Sequence, residues 1–155
     1  MKELLELYRT WKGAEAVNVE KLAGAGSNRE YYRLTDDAGS AVIGVIGTSR
    51  DENHAFVYLA RHFEKRQLPV PHVLAVTADE TCYLQSDLGS VSLFDAIRGG
   101  REAGGRYNLA EQELLRRTIR ELPNIQLRRS RIHFSKILVS VILSRSSIKR
   151  VFFSI

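Results

Sequence analysis

Residues 17–46 hold the strongest constraint in this chain. Three strand-like stretches, 17–23, 30–35 and 40–46, follow one another with only short links between them. The second has the aromatic content of a strand in Tyr31-Tyr32-Arg33-Leu34, and the third, "SAVIGVI", is a continuous apolar run suited to a buried strand. Asp36-Asp37-Ala38-Gly39 is good turn chemistry for a hairpin. Links this short join antiparallel strands, since a parallel pair needs a crossover of a dozen residues or more.

The chain beyond residue 46 fits the same plan. Ser49 and Glu52 make an S-x-x-E capping box, and Phe56, Leu59, Ala60 and Phe63 form the apolar stripe of a long helix. Leu68-Pro69-Val70-Pro71 stops it. Strands are expected at 73–77 and 81–85, then a helix near Ser90–Ile97. Glycines 99, 100, 104 and 105 mark an exposed loop, and Asn108 with Glu111 begins a last helix that Pro123 closes. A short amphipathic helix at 2–12, with Leu4, Leu7, Tyr8 and Trp11 at helical spacing, precedes the strands. The expected fold class is α+β: an antiparallel five-stranded sheet with one long helix packed across it, then further helices. The order is not an alternating βαβ one, which disfavours a dinucleotide-binding Rossmann reading of the glycines.

The loop between the first two strands, Gly24-Ala25-Gly26-Ser27-Asn28-Arg29, carries the chemistry. Glycines let backbone N–H groups approach an anion closely. Ser27 and Asn28 add donors, and Arg29 adds a cation that can pair with phosphate. The loop has the first two glycines of the kinase pattern G-x-G-x-x-G and Arg29 at the third. It is no Walker loop, because no Gly-Lys-Ser/Thr ends it. Read without context, it is equally a hairpin loop of turn-prone residues.

Context supplies a resemblance. "LAGAGSNREYYRL", "AVIGVIG", "ENHAFVYLARHFEKRQLPVPHVLAV" and "CYLQSDLGSVSLFDAI" together resemble the N-terminal lobe of the aminoglycoside phosphotransferase and choline kinase superfamily, over residues 18–98. The closer likeness is to its branch of cell-wall amino-sugar 1-kinases, such as those acting on N-acetylmuramate. The resemblance implies a protein-kinase-like N-lobe with ATP and Mg²⁺ as cofactors. Gly24, Gly26, Ser27, Asn28 and Arg29 would lie over the phosphates. Glu52 would orient a phosphate-binding cation, although the capping box accounts for it without ATP. Gln85, Asp87 and Leu88 belong to the hinge that holds the adenine edge; Asp87-Leu88-Gly89 looks like a magnesium motif but comes too early in the chain for that role. The third strand lacks the lysine of protein kinases, as the sugar-kinase branch tends to, leaving phosphate charge to Arg29, Arg33 and metal.

The family's catalytic base sits in His-Gly-Asp. His54, His62, His72 and His133 are each followed by something else, so no catalytic residue is assigned, and no metal-ligand set either. The implied organisation is a kinase-like lobe with hinge at 1–98, a linker and first helix toward a C-terminal lobe at 99–126, and an atypical basic tail at 127–155. Residues 1–126 hold all 18 acids against 16 Lys and Arg, a net charge of −2; the 29 residues from 127 on hold seven Lys or Arg, seven Ser and no acid. Nucleic acid is therefore not an expected partner of the body. The tail reads as an out-of-frame ending on a truncated kinase, or as a basic apolar segment for an anionic membrane surface. The functional expectation is the nucleotide-binding lobe of a sugar phosphotransferase, inactive alone, with a small-molecule acceptor in the full-length family and an exposed surface where the C-lobe would pack. The other class is a non-enzymatic binding module with a membrane-surface tail or a separately encoded partner lobe. One cysteine, Cys82, and an N-terminus unlike a signal peptide suit the cytoplasm. Cys82 alternates with Leu84 on a strand and is expected to pack as a small apolar group.

Overall fold

The computed structural model describes residues 1–23 and 28–129. Helix α1 (Lys2–Lys12) is followed by strands β1 (Asn18–Lys21), β2 (Arg29–Thr35) and β3 (Ala41–Gly47). Helix α2 (Arg50–Glu64) leads to β4 (Val73–Val76) and β5 (Cys82–Ser86). Three helices close the described chain: α3 (Leu93–Ala96), α4 (Arg98–Glu102) and α5 (Leu109–Arg129). The five strands form one sheet in the order β1-β2-β3-β5-β4, with every neighbouring pair antiparallel. The fold is α+β, and its arrangement is consistent with the amino-terminal lobe of a protein-kinase-like fold.

Both faces of the sheet are covered, where sequence reasoning placed one helix across it. On one face α2 buries Phe56, Val57 and Ala60 against Tyr31, Ile43, Val45 and Tyr83. On the other, α1 buries Leu4 and Tyr8 against Tyr32, Leu34, Cys82 and Leu84. The period of two along each strand divides the side chains between the helices, so neighbours such as Tyr31 and Tyr32 enter different cores. Gly44 makes the second packing possible. A Cβ there would stand 2.8 Å from both terminal methyls of Leu4 and 3.1 Å from Leu34 Cδ1, so only hydrogen leaves room for α1.

Local signals explain the helix ends. Ser49 Oγ accepts from the Glu52 amide at 3.4 Å, and Ser92 Oγ accepts from the Asp95 amide at 3.2 Å. At α5 the capping box is reciprocal: Asn108 Oδ1 accepts from Glu111 N–H at 3.0 Å, and Glu111 Oε2 accepts from Asn108 N–H at 2.9 Å.

Two expectations are corrected here. Pro123 does not close the last helix; α5 runs through it to Arg129. Proline removes one backbone donor and crowds the preceding turn, a cost of about 3 kcal/mol that a long helix can carry as a local defect. The helix therefore also passes the change of composition at Gln126. Gly99 and Gly100 are not loop residues but lie in α4, and Gly100 is buried. The Tyr107 ring packs where a Gly100 Cβ would be, 2.1 Å from its Cδ1, while Glu111 Oε1 accepts the Gly100 N–H at 2.9 Å. That glycine serves close approach and not chain flexibility. Gly104 and Gly105 do form a turn, with φ of 68° and 88°.

Candidate functional site

The polar chemistry collects on the α2 face of the sheet, near the end of β2 that receives the glycine loop. Gly24, Gly26 and Ser27 lie outside the described residues. Asn28 is exposed beside them, and Arg29 opens β2. The alternation of β2 places Arg29, Tyr31 and Arg33 on the α2 side.

Arg29 is buried, with its side chain 4% exposed. Its guanidinium lies over the Phe56 ring at 5.7 Å, and Nη2 stands 3.9 Å from Glu52 Oε2. Both residues come from α2, whose apolar stripe turns Phe56 to the sheet and whose first turn presents Glu52. The two readings of Glu52 therefore coincide: its backbone amide completes the cap on Ser49, and its carboxylate turns to Arg29. Tyr83 of β5 stacks on the other part of this cluster, 5.0 Å from Phe56 at 24°. Its hydroxyl is fully buried and makes no hydrogen bond among the described residues. Burial pushes the phenol far above its usual range, against a smaller opposing pull from the Arg29 charge.

Further along the same face, Arg33, Ile43, Gln85 and Val73 stand in register across β2, β3, β5 and β4. Gln85 is buried, and its Oε1 finds no donor among the described residues. Arg33, expected to share the phosphate charge, is held by two acids. Its Nε donates to Asp87 Oδ2 at 2.6 Å, Nη2 faces Oδ1 at 3.4 Å, and Nη1 lies 3.7 Å from Glu20. Burial pushes the Asp87 carboxyl up, but the Arg33 hydrogen bond, the Gly89 amide and the Arg33 charge outweigh it and hold the group below the usual carboxylate range. Asp87 is thus an ionised partner of Arg33. Leu88, next in the chain, is half-buried.

The structure brings Arg29 and Glu52 together, and places Gln85 and Asp87 in a second group on the same face. Two residues that hold this arrangement were missed. Asn53, fully buried, donates through Nδ2 to the carbonyls of Glu80 at 2.8 Å, Thr81 at 3.3 Å and Gly47 at 3.4 Å, tying the start of α2 to the sheet. Its signal was present: it precedes Phe56, Val57 and Ala60 by three, four and seven residues, a polar exception on an apolar stripe. Tyr83 carried none, because a tyrosine in a strand is ordinary.

The histidines at 54, 62 and 72 each lie against a charged side chain, His62 Nδ1 with Arg66 at 3.1 Å. His54 Nδ1 lies 3.0 Å from Glu80, and His72 Nδ1 lies 2.7 Å from Glu64. Cys82 is 1% exposed, and burial raises its thiol pKa. Among the described residues no group of three or more His, Cys, Asp or Glu is placed to hold a metal ion, and no helix is long and apolar enough to cross a membrane. No protein-family model matches this chain, and no curated protein matches it.

Proposed function

We propose that residues 1–98 are the nucleotide-binding lobe of an ATP-dependent small-molecule phosphotransferase of the aminoglycoside phosphotransferase and choline kinase kind, acting on a sugar hydroxyl in the cytoplasm. The observation that carries this reading is the Arg29–Glu52 pair. A cation directly after a glycine loop is buried against an acid of the long helix, and a buried guanidinium is retained at a cost unless its charge is used. The loop amides and Arg29 would meet the phosphates of ATP, and the segment from Gln85 to Leu88 would meet the base. Asp87 is paired with Arg33, which supports a structural part for it in that segment and gives it no part in holding magnesium.

Charge stabilisation is only part of phosphoryl transfer. The acceptor hydroxyl must be positioned and its proton accepted, and Mg²⁺ must bridge the phosphates. None of the chain's four histidines begins a His-Gly-Asp loop. The lobe therefore binds nucleotide weakly and does not turn it over. Residues 99–126 lead toward the lobe that would supply those groups.

Titrating the ¹⁵N-labelled chain with MgATP tests this. Resonances of residues 22–29 and 85–89 should shift with millimolar affinity, Gly26→Val should abolish the response, and ADP release with an amino sugar should stay at background. No response in either segment sinks the nucleotide reading. Turnover would show that a catalytic base lies among residues assigned none.

A further inference from the structure

Arg33 receives carboxylates from two separate parts of the chain. Glu20 is its register partner on β1, the strand that leads through Leu22 and Ala23 into the glycine loop. Asp87 follows β5, two strands away in the sheet. Adjacent strands lie about 4.8 Å apart, so joining β2 to the β5 side means crossing β3, a span of about 10 Å. Ile43, the β3 residue between Arg33 and Gln85 in register, presents an apolar side chain to be crossed. A long side chain with a forked cation suits that reach and can hold an acid at each side.

At one end the Glu20 contact adds to the β1–β2 ladder and the Lys21–Glu30 ion pair; its own part is to join that strand to the far side of β3. β1 is an edge strand, exposed along all four residues and paired only with β2. The turn after β5 depends on Asp87, whose Oδ1 also accepts from the Gly89 amide at 2.8 Å where Gly89 takes φ of 92°.

We propose that Glu20, Arg33 and Asp87 form a brace that fixes the separation between the strand feeding the glycine loop and the turn at residues 86–89. The brace sets the width of the nucleotide cleft, a role that rests on the function proposed above. All three are positioning residues: their side chains hold one another, and where the 85–88 segment meets the base it does so through its backbone. Arg33 is the shared member, so a disturbance at one acid reaches the other.

Hydrogen exchange on the full chain tests the brace without nucleotide. The reporters are the Leu22 amide, bonded to Tyr31 O at 2.8 Å, and the Gly89 amide, bonded to Asp87. Glu20→Gln should speed exchange at Gly89, and Asp87→Asn at Leu22, each by about threefold, the scale of one partly exposed ion pair. Arg33→Gln should speed both, and Arg33→Lys should restore part of the protection. If each acid's substitution changes only its own end, the contacts are two separate ion pairs and the brace is overturned. MgATP titration of the same variants is the second arm. Wild-type binding that weakens in step with amide cross-talk supports control of the cleft. Cross-talk with unchanged MgATP affinity removes that control and leaves the brace. Cross-talk in a wild type that binds no MgATP leaves the brace and removes the nucleotide reading.

Discussion

The two faces of the sheet are built from alternate residues of the same strands, yet their buried chemistry differs. Under α1 the buried cluster is Leu4, Tyr8, Tyr32, Leu34, Cys82 and Leu84, and its charged contact, Lys12 with Asp36 at 2.7 Å, stands at the end of the helix. Under α2 the apolar cluster shares its face with Arg29, Asn53 and Gln85, all buried. Burying polar groups costs free energy unless each finds a partner. The α1 face is what a sheet becomes when apolar packing decides and the charged pair is kept to the helix end. The α2 face gives up stability for arranged charge, and function is sought there on that ground.

The comparison breaks first at Gly44. On a face whose buried cluster is apolar, a side chain in the space taken by Leu4 should be severe. Gly44→Val should destabilise the protein by about 3 kcal/mol, the upper part of the range for overpacked cores. Chemical denaturation measures it, and a change under about 1 kcal/mol would mean that α1 shifts freely and the face is not closely packed.

Asn53 probes the opposite face. Asn53→Ala removes the donor to three carbonyls, two in the β4–β5 turn and one at the end of β3, that hold the start of α2 to the sheet. The expected loss is about 2 kcal/mol, mostly the cost of leaving buried acceptors unpaired. Spectroscopically, the resonances of Glu80 and Thr81 should move with those of Glu52. Unchanged Glu52 resonances would separate the packing of α2 from the position of its acid.

How much of this contrast was legible depends on periodicity. Pattern and caps located the strands and α2 to within a few residues, because Ser49, the prolines after Leu68 and the Asp36–Gly39 turn act locally. The alternation of a strand at 30–35 sets Arg33 on the face of Tyr31, whereas Arg29 was read as part of the loop and joins that face because β2 begins one residue earlier. Which partners those arginines meet was hidden. Glu52, Glu20 and Asp87 lie 23, 13 and 54 positions away, and only the fold brings them close. The second helix cover was hidden for a related reason: within the apolar run 40–46 nothing marks Gly44 as the place where Leu4 packs until α1 is seen above it. Pro123 misled because local rules give its cost without saying whether a helix continues past it.

Tyr83 sharpens the comparison on a smaller scale. Its hydroxyl is buried without a bond, so Tyr83→Phe removes a polar atom and keeps the ring stacked on Phe56. Stability should hold or rise, by up to about 1 kcal/mol. A clear loss in thermal denaturation would reveal that the hydroxyl contributes to the Arg29 cluster, and the α2 face would then be better satisfied than its bonds suggest.

The smallest effect separates the faces by pH. His62 of α2 packs against Tyr58 at 6.2 Å and edge-on to Phe63 at 5.7 Å, with Arg66 Nη1 3.1 Å from its Nδ1. Burial first, then the charges of Arg66 and Lys65, push its pKa down. The unfolded chain takes up this proton near the ordinary value of about 6.5, while the folded chain resists. The unfolded state therefore binds more protons as pH falls through that value, and stability declines until the folded value is passed. Asp36, on the α1 side, behaves alike lower on the scale. The Lys12 hydrogen bond and the Ser40 amide hold its carboxyl below the usual range, so its contribution is complete above about pH 4 and fades as pH falls through the lower folded value. Below about pH 6.5, and before Asp36 takes up its proton, the decline should come from His62 on the α2 side. His62→Gln should flatten that stretch of the stability profile and leave the acid limb unchanged, whereas Asp36→Asn should do the reverse. If His62→Gln leaves the decline over the upper stretch intact, the burial of His62 is not its cause and the α2 side does not set it.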